Sequence, residues 1–155
     1  MTRNEKIRIS LNPSTPPEVL TQLARDEDYN VRWKVAFNPS TPPEILTEFA
    51  RDENHYVRRR VAGNLSTPPE VLAELSRDEN HYVRRNVALN LSTPPEILTQ
   101  LSRDKDYGTR HFIAGNPSTP VEVLLILMVD DDRGVREAAE RALSKRVHCT
   151  HQSGG

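Results

Sequence analysis

The stretch that decides the fold is NPSTPPEVLTQLARDEDYNVRWKVAF, residues 12–37. The chain then begins again: NPSTPPEIL opens at Asn38, and the leading Asn returns at Asn64, Asn90 and Asn116, each step 26 residues without a slip. Ser-Thr-Pro follows every time, from Ser14-Thr15-Pro16 to Ser118-Thr119-Pro120. Glu recurs at Glu18, Glu44, Glu70, Glu96 and Glu122, and Asp at Asp26, Asp52, Asp78, Asp104 and Asp130. Residues 12–141 are five tandem units (12–37, 38–63, 64–89, 90–115 and 116–141). Ile7, Ile9 and Leu11 match the end of a unit, so residues 1–11 read as a half-unit and 142–155 as a helical extension with a flexible tail. Self-similarity at such a period marks a repeat architecture.

Each unit holds two helix signals. Thr15-Pro16-Pro17-Glu18 has the form of a capping box, with prolines where a helix needs no N–H. Val19, Leu20 and Leu23 then give a short first helix one apolar face. Asp26 to Asp28 offers a turn and a second cap, and Val31, Val35 and Ala36 follow at helical spacing. The second helix is expected to stop at Asn38-Pro39, where Asn can take the left-handed conformation and the residue before Pro avoids the α region. No stretch alternates as a strand would. One unit buries too little apolar surface to offset the entropy of ordering it, so neighbours must stack. The fold class is all-α, a solenoid of five two-helix repeats without β-sheet.

The pattern N-P-S-T-P-P-E-V-L-x-x-L-A-R-D-x-x-x-x-V-R-x-x-V-A resembles the leucine-rich repeat variant family of bacteria over roughly residues 4–141. That resemblance implies a right-handed superhelix in which one helix of each pair is short or 3₁₀. The family's founding member also carries a cysteine-ligated iron–sulfur cluster. Here the one cysteine is Cys149, so no such cofactor is expected.

Composition narrows the function. Lys plus Arg (21) nearly cancels Asp plus Glu (22), so only local segregation of charge argues for a polyanionic partner. One cysteine excludes an internal disulfide framework. No apolar run reaches membrane-spanning length and no signal-like segment opens the chain, so the expectation is a cytoplasmic protein that engages no membrane.

Placed on a helical wheel with Val31 at the origin, Val35 lies about 40° away, Arg32 about 100° and Ala36 about 140°. Arg32, Arg58, Arg84, Arg110 and Arg136 thus fall among core-facing positions, and the expected role is structural: a guanidinium paired with a recurring Asp or a helix-end carbonyl. The units disagree on the opposite side. One column runs Trp33, Arg59, Arg85, His111, Glu137; the next Lys34, Arg60, Asn86, Phe112, Ala138; a third Asn30, Tyr56, Tyr82, Gly108, Gly134. Trp33, Lys34, Tyr56, Arg59, Arg60, Tyr82, Arg85, His111 and Phe112 together make an aromatic and basic stripe suited to a protein or peptide partner, or alternatively to nucleic acid. A plain solvated helix face is the other account of it.

Repeat five departs from the rest. Leu125, Ile126 and Val129 replace polar residues at solvent-facing columns, and something should cover them: the last helix (Ala142, Leu143, Val147), a second copy in a homodimer, or a partner domain. Catalysis requires unlike groups converging on one place, whereas the candidate groups here are themselves repeated. His55 and His81 share a column and are too far apart to hold one metal. His148, Cys149 and His151 lie in the tail, and Asp130-Asp131-Asp132 lacks an EF-hand spacing. The expectation is a non-enzymatic binding scaffold with no metal and no cofactor.

Overall fold

A computed structural model describes residues 1–152, with side chains through residue 147. The side chains of His148, Cys149 and His151, and the Gly154-Gly155 end, lie outside the described residues. The described residues form eleven α-helices and no strand: α1 (Arg3–Leu11), α2 (Pro17–Leu23), α3 (Tyr29–Phe37), α4 (Pro43–Phe49), α5 (His55–Gly63), α6 (Pro69–Leu75), α7 (His81–Leu89), α8 (Pro95–Leu101), α9 (Tyr107–Gly115), α10 (Val121–Leu127) and α11 (Arg133–Gln152). Each repeat contributes one short helix and one longer one. The longer helices α1, α3, α5, α7, α9 and α11 pack each against the next, and every short helix packs on its longer partners. This is a solenoid.

The short helices satisfy the expectation of a short element without being wholly 3₁₀. In α2, Leu20 N–H reaches Pro16 O in the α pattern, while i→i−3 bonds such as Val19 N–H to Pro16 O and Asp26 N–H to Leu23 O tighten the two ends. The core is a ladder of repeated positions. Leu20, Leu46, Leu72, Leu98 and Leu124 are fully buried, facing Val31, Val35 and their equivalents on the longer helices.

Two local expectations are corrected. Thr15 and its equivalents do not cap the short helices, whose N-cap residues are prolines without a side-chain bond. Their hydroxyls turn backward instead: Thr67 Oγ1 donates to Val61 O at 2.6 Å, and Thr93 Oγ1 to Val87 O at 2.6 Å. The recurring Asn does not enter the left-handed region either; Asn38 and its equivalents are extended. Its side chain joins repeats. Asn64 Nδ2 donates to Ala36 O (2.9 Å) and Asn38 O (3.1 Å), 28 and 26 residues earlier, and its Oδ1 accepts from Ser66 N–H. Asn38, Asn90 and Asn116 do the same. A helix leaves its last carbonyls without internal partners. Thr takes one from the longer helix just before it, six residues back, and Asn another from the longer helix one layer earlier, which explains why both types recur.

The expected role of the recurring Arg is what the structure shows. Arg58 Nε and Nη2 grip the Asp78 carboxylate of the next repeat at 2.7 and 3.1 Å, while Nη1 donates to Asp52 O and Glu53 O of its own turn. Arg32, Arg84 and Arg110 repeat this arrangement with Asp52, Asp104 and Asp130. Lys6 stands in the same position of the half-unit and binds Asp26. Arg136, in the last repeat, donates to Asp130 O and Asp131 O.

Candidate ligand-binding site

The second layer of helices carries the aromatic and basic residues, and the structure divides them unequally. Trp33 and Lys34 of α3 meet Tyr56, Arg59 and Arg60 of α5 around one open cavity of about 420 Å³, which Tyr29 and Asn30 complete. Such a volume accommodates a small ligand or a few side chains of a partner. Tyr29 stacks on Tyr56 with ring centroids 6.5 Å apart. Lys34 Nζ sits 3.8 Å from the Trp33 ring centroid, and the Arg60 guanidinium carbon 4.3 Å from the same ring.

No carboxylate lines this cavity. Among the described residues Lys34, Arg59 and Arg60 enter no ion pair, and the Nε atoms of Arg59 and Arg60 are buried without a hydrogen-bond partner. Burial, then the neighbouring Arg60 charge, pulls the Lys34 ammonium below its ordinary pKa; burial, then Arg59, does the same to Arg60. Arg32, Arg58, Arg84, Arg85 and Arg110 are each neutralised by an Asp, and the half-buried Arg136 and Arg146 donate to backbone carbonyls. Three cations thus stand together against aromatic rings with no carboxylate among them, which makes this cavity locally positive.

The stripe does not continue as a row of free charges. Arg85 of α7 is clamped by Asp106, with Nε to Oδ2 and Nη2 to Oδ1 both at 2.8 Å. Asp106 also accepts from the backbone N–H and hydroxyl of the buried Thr109, and Arg85 above all holds its carboxyl well below the usual carboxylate range. Tyr82 is exposed between Arg59 and Arg85, whose guanidinium carbons stand 5.7 and 5.3 Å from its centroid. His111 directs Nδ1 at Gly134 O (3.1 Å), and Phe112, partly buried against the core as Trp33 is, meets the His111 ring edge-on at 5.7 Å, away from the first cavity. A second cavity, of about 490 Å³, lies beside His111 and α11. Its Arg146 donates to Pro117 O, its Arg141 lies 3.9 Å from Glu137, and no Trp or Tyr lines it. The nine residues of the expected stripe therefore resolve into a cluster at repeats one and two, with Tyr82 at its edge, and a neutralised remainder.

Sequence reasoning passed over Tyr29, which occupies the column of His55 and His81 and so broke no obvious pattern. It also passed over the Asp106, Gly108 and Thr109 substitutions that remove Arg85 from the set. Leu125, Ile126 and Val129 are exposed on α10. Ala142 and Leu143 of α11 pack on the core and Val147 is exposed, so the described part of the last helix leaves that patch open. No group of three His, Cys, Asp or Glu that could hold a metal ion occurs among the described residues. No helix among them is long and apolar enough to cross a membrane.

Comparisons with known proteins bear on the repeats. The family model for the leucine-rich repeat variant matches residues 83–106. A solved structure described as a leucine-rich repeat variant with a novel repetitive structural motif is similar over 91% of this chain, at 32% identity and a TM-score of 0.71. The match covers 56% of that protein, so this chain spans a little over half its length. An engineered protein shares the fold alone, at 17% identity and a TM-score of 0.55, over 90% of this chain and 88% of the other. No curated protein sequence matches. The motif in five copies, the all-helical stacking and the agreement with a solved relative converge on one assignment: this chain belongs to the leucine-rich repeat variant family.

Proposed function

We propose that the protein is a non-enzymatic cytoplasmic scaffold that captures an acidic segment of a partner protein in the cavity of Trp33, Lys34, Tyr56, Arg59 and Arg60. The observation that carries this is the cluster of three cations without a carboxylate partner. Burying part of an unpaired charge costs stability. The other half-buried Arg side chains among the described residues hold an Asp carboxylate or, at Arg136 and Arg146, backbone carbonyls, whereas Nε of Arg59 and of Arg60 has no hydrogen-bond partner.

The same observation favours a peptide over nucleic acid. Tracking a strand requires cations repeated along the solenoid, yet Arg85 is taken by Asp106 and His111 by a backbone carbonyl. Of the stripe's cations, only Lys34, Arg59 and Arg60 then remain to meet phosphates.

The test is fluorescence anisotropy of labelled oligoglutamate and labelled single-stranded DNA at about 50 and 200 mM salt. Oligoglutamate is expected to bind, and Arg59→Ala with Arg60→Ala to abolish that binding. With about three phosphate contacts, any DNA affinity falls roughly 20-fold across that range. A loss of about 10³-fold, with DNA binding tighter than oligoglutamate, would overturn the reading in favour of a nucleic-acid binder.

A further inference from the structure

Arg60 forms the wall between two cavities. On one side is the cationic site. On the other is a groove of about 510 Å³ whose lining includes Pro13, Phe37, Pro39, Gly63 and Leu65. Phe37 is 52% exposed and Leu65 62% exposed, large apolar side chains held out toward water. Two variable columns shape the groove. Gly63, like Gly115, stands where Leu11, Phe37 and Leu89 carry large side chains, and a β-carbon there would meet Asn86 Oδ1 at 3.2 Å. Leu65, like Leu91, stands where the other repeats have Pro13, Pro39 and Pro117.

The two cavities adjoin at Arg60, which lines both. The Trp33 and Phe37 rings stack with centroids 6.2 Å apart and planes within 10°, and the Arg60 guanidinium spans both, 4.3 Å from one centroid and 5.2 Å from the other. One side of that stacked pair faces the cations and the other faces the groove. A separation of this size is about two residues of extended peptide.

Resting on the peptide reading above, we propose that the two cavities are one bipartite site, which takes a carboxylate and a large apolar side chain from a single extended acidic-hydrophobic segment. Charge complementarity fixes the first half of the ligand. In the second half Arg60 is the only charged residue of the lining, and Phe37 and Leu65 supply the contact, so a side chain of Leu, Phe, Ile or Met fits it. A nucleic-acid strand offers no aliphatic group for this half. The site thereby reads sequence, since an acidic run alone fills only one of its two parts.

The experiment is display selection from a random peptide library of about twelve residues on the intact protein, repeated with Arg60→Ala and with Leu65→Ser. Leu65 is exposed, so its replacement leaves the core untouched. Enriched peptides are expected to carry Asp or Glu within about three residues of a large apolar side chain. Leu65→Ser is expected to weaken such a peptide about tenfold, the worth of one buried apolar side chain, while oligoglutamate binding changes little because no charge is added beside Arg60. Acidic enrichment without an apolar preference, or enriched peptides indifferent to Leu65→Ser, would overturn the bipartite site and leave the acidic-peptide reading standing. Absence of acidic enrichment would overturn both.

Discussion

The guanidinium of Arg85 fills the space that a β-carbon at Gly108 would need. Gly108 stands where repeats two and three carry Tyr56 and Tyr82, and its missing side chain lets Arg85 reach Asp106. Three substitutions act together in repeat four. Asp106 supplies the charge, Gly108 the room, and Thr109 a hydroxyl that shares the carboxylate. They end the run of free cations after Arg60, which is why the candidate site is local.

Gly108→Ala forces Arg85 aside, and the lost charge-assisted pair outweighs the helix propensity gained, for a net destabilisation of about 1 kcal/mol. With Arg85→Ala already in place the same change has no clash to make, and it becomes stabilising by up to about 1 kcal/mol. Urea denaturation of the four proteins in this cycle measures the change of sign.

Asn64→Ala removes the donor from the buried Ala36 O and one of two from Asn38 O, which keeps Thr41 N–H, at a cost of about 1–3 kcal/mol. Asn64→Asp is worse near neutral pH, because a carboxylate would face two carbonyl oxygens. Its stability should recover as acid protonates the new group. Thermal melts at two pH values distinguish the variants.

Arg58 and Arg51 both form bidentate pairs across repeats, yet their side chains are 12% and 76% exposed. Arg58→Ala strands the buried Asp78 carboxylate and costs about 3–5 kcal/mol. Arg51→Ala loosens only a solvated pair with Glu74, for about 0–1 kcal/mol. Chemical denaturation of the two single variants gives the comparison directly; equal losses would mean that the repeating Arg–Asp pairs are not what joins the units.

Acid should weaken the fold before base does. Arg3 holds Asp28 down to about 2 from its ordinary 3.8, and Asp26, Asp106 and Asp130 are lowered by Lys6, Arg85 and Arg110. A carboxyl whose folded value is depressed contributes its stability above its unfolded value and loses it as pH falls through the folded one. Stability is therefore expected to be level above about pH 5 and to fall between about pH 4 and pH 2. Asp106→Asn keeps a capping side chain of the kind used at Asn54 and Asn80 but no titrating group, so its acid limb should be shallower in pH-dependent melts.

The fold was legible because each repeat obeys the same local chemistry, and comparing columns separates core from surface without any second sequence. The role of Arg32 and its equivalents followed from the helical wheel, since a charge at a core angle needs a counter-charge. Thr15 and Asn38 were harder. A Thr before Pro-Pro-Glu and an Asn before Pro each fit a familiar local motif, but both side chains bond to partners outside their own helix. The Asn bond crosses into another repeat, which no local reading reveals. The site was half legible. Composition gave the cations and rings, whereas their pairing depends on whether the next repeat offers a carboxylate and the room to reach it.

The lone tryptophan of the chain, Trp33, lies in the wall of the proposed site under Lys34 and Arg60, so its emission is the most direct test. The measurement is Trp33 fluorescence during titration with oligoglutamate, in the native chain and in Arg60→Met. A saturable change in the native chain is expected. Arg60→Met should lose it while keeping or slightly raising stability, by at most about 1 kcal/mol, since Met replaces an unpaired and partly buried cation. Unchanged Trp33 emission during binding detected by anisotropy, or full binding by Arg60→Met, would contradict the account.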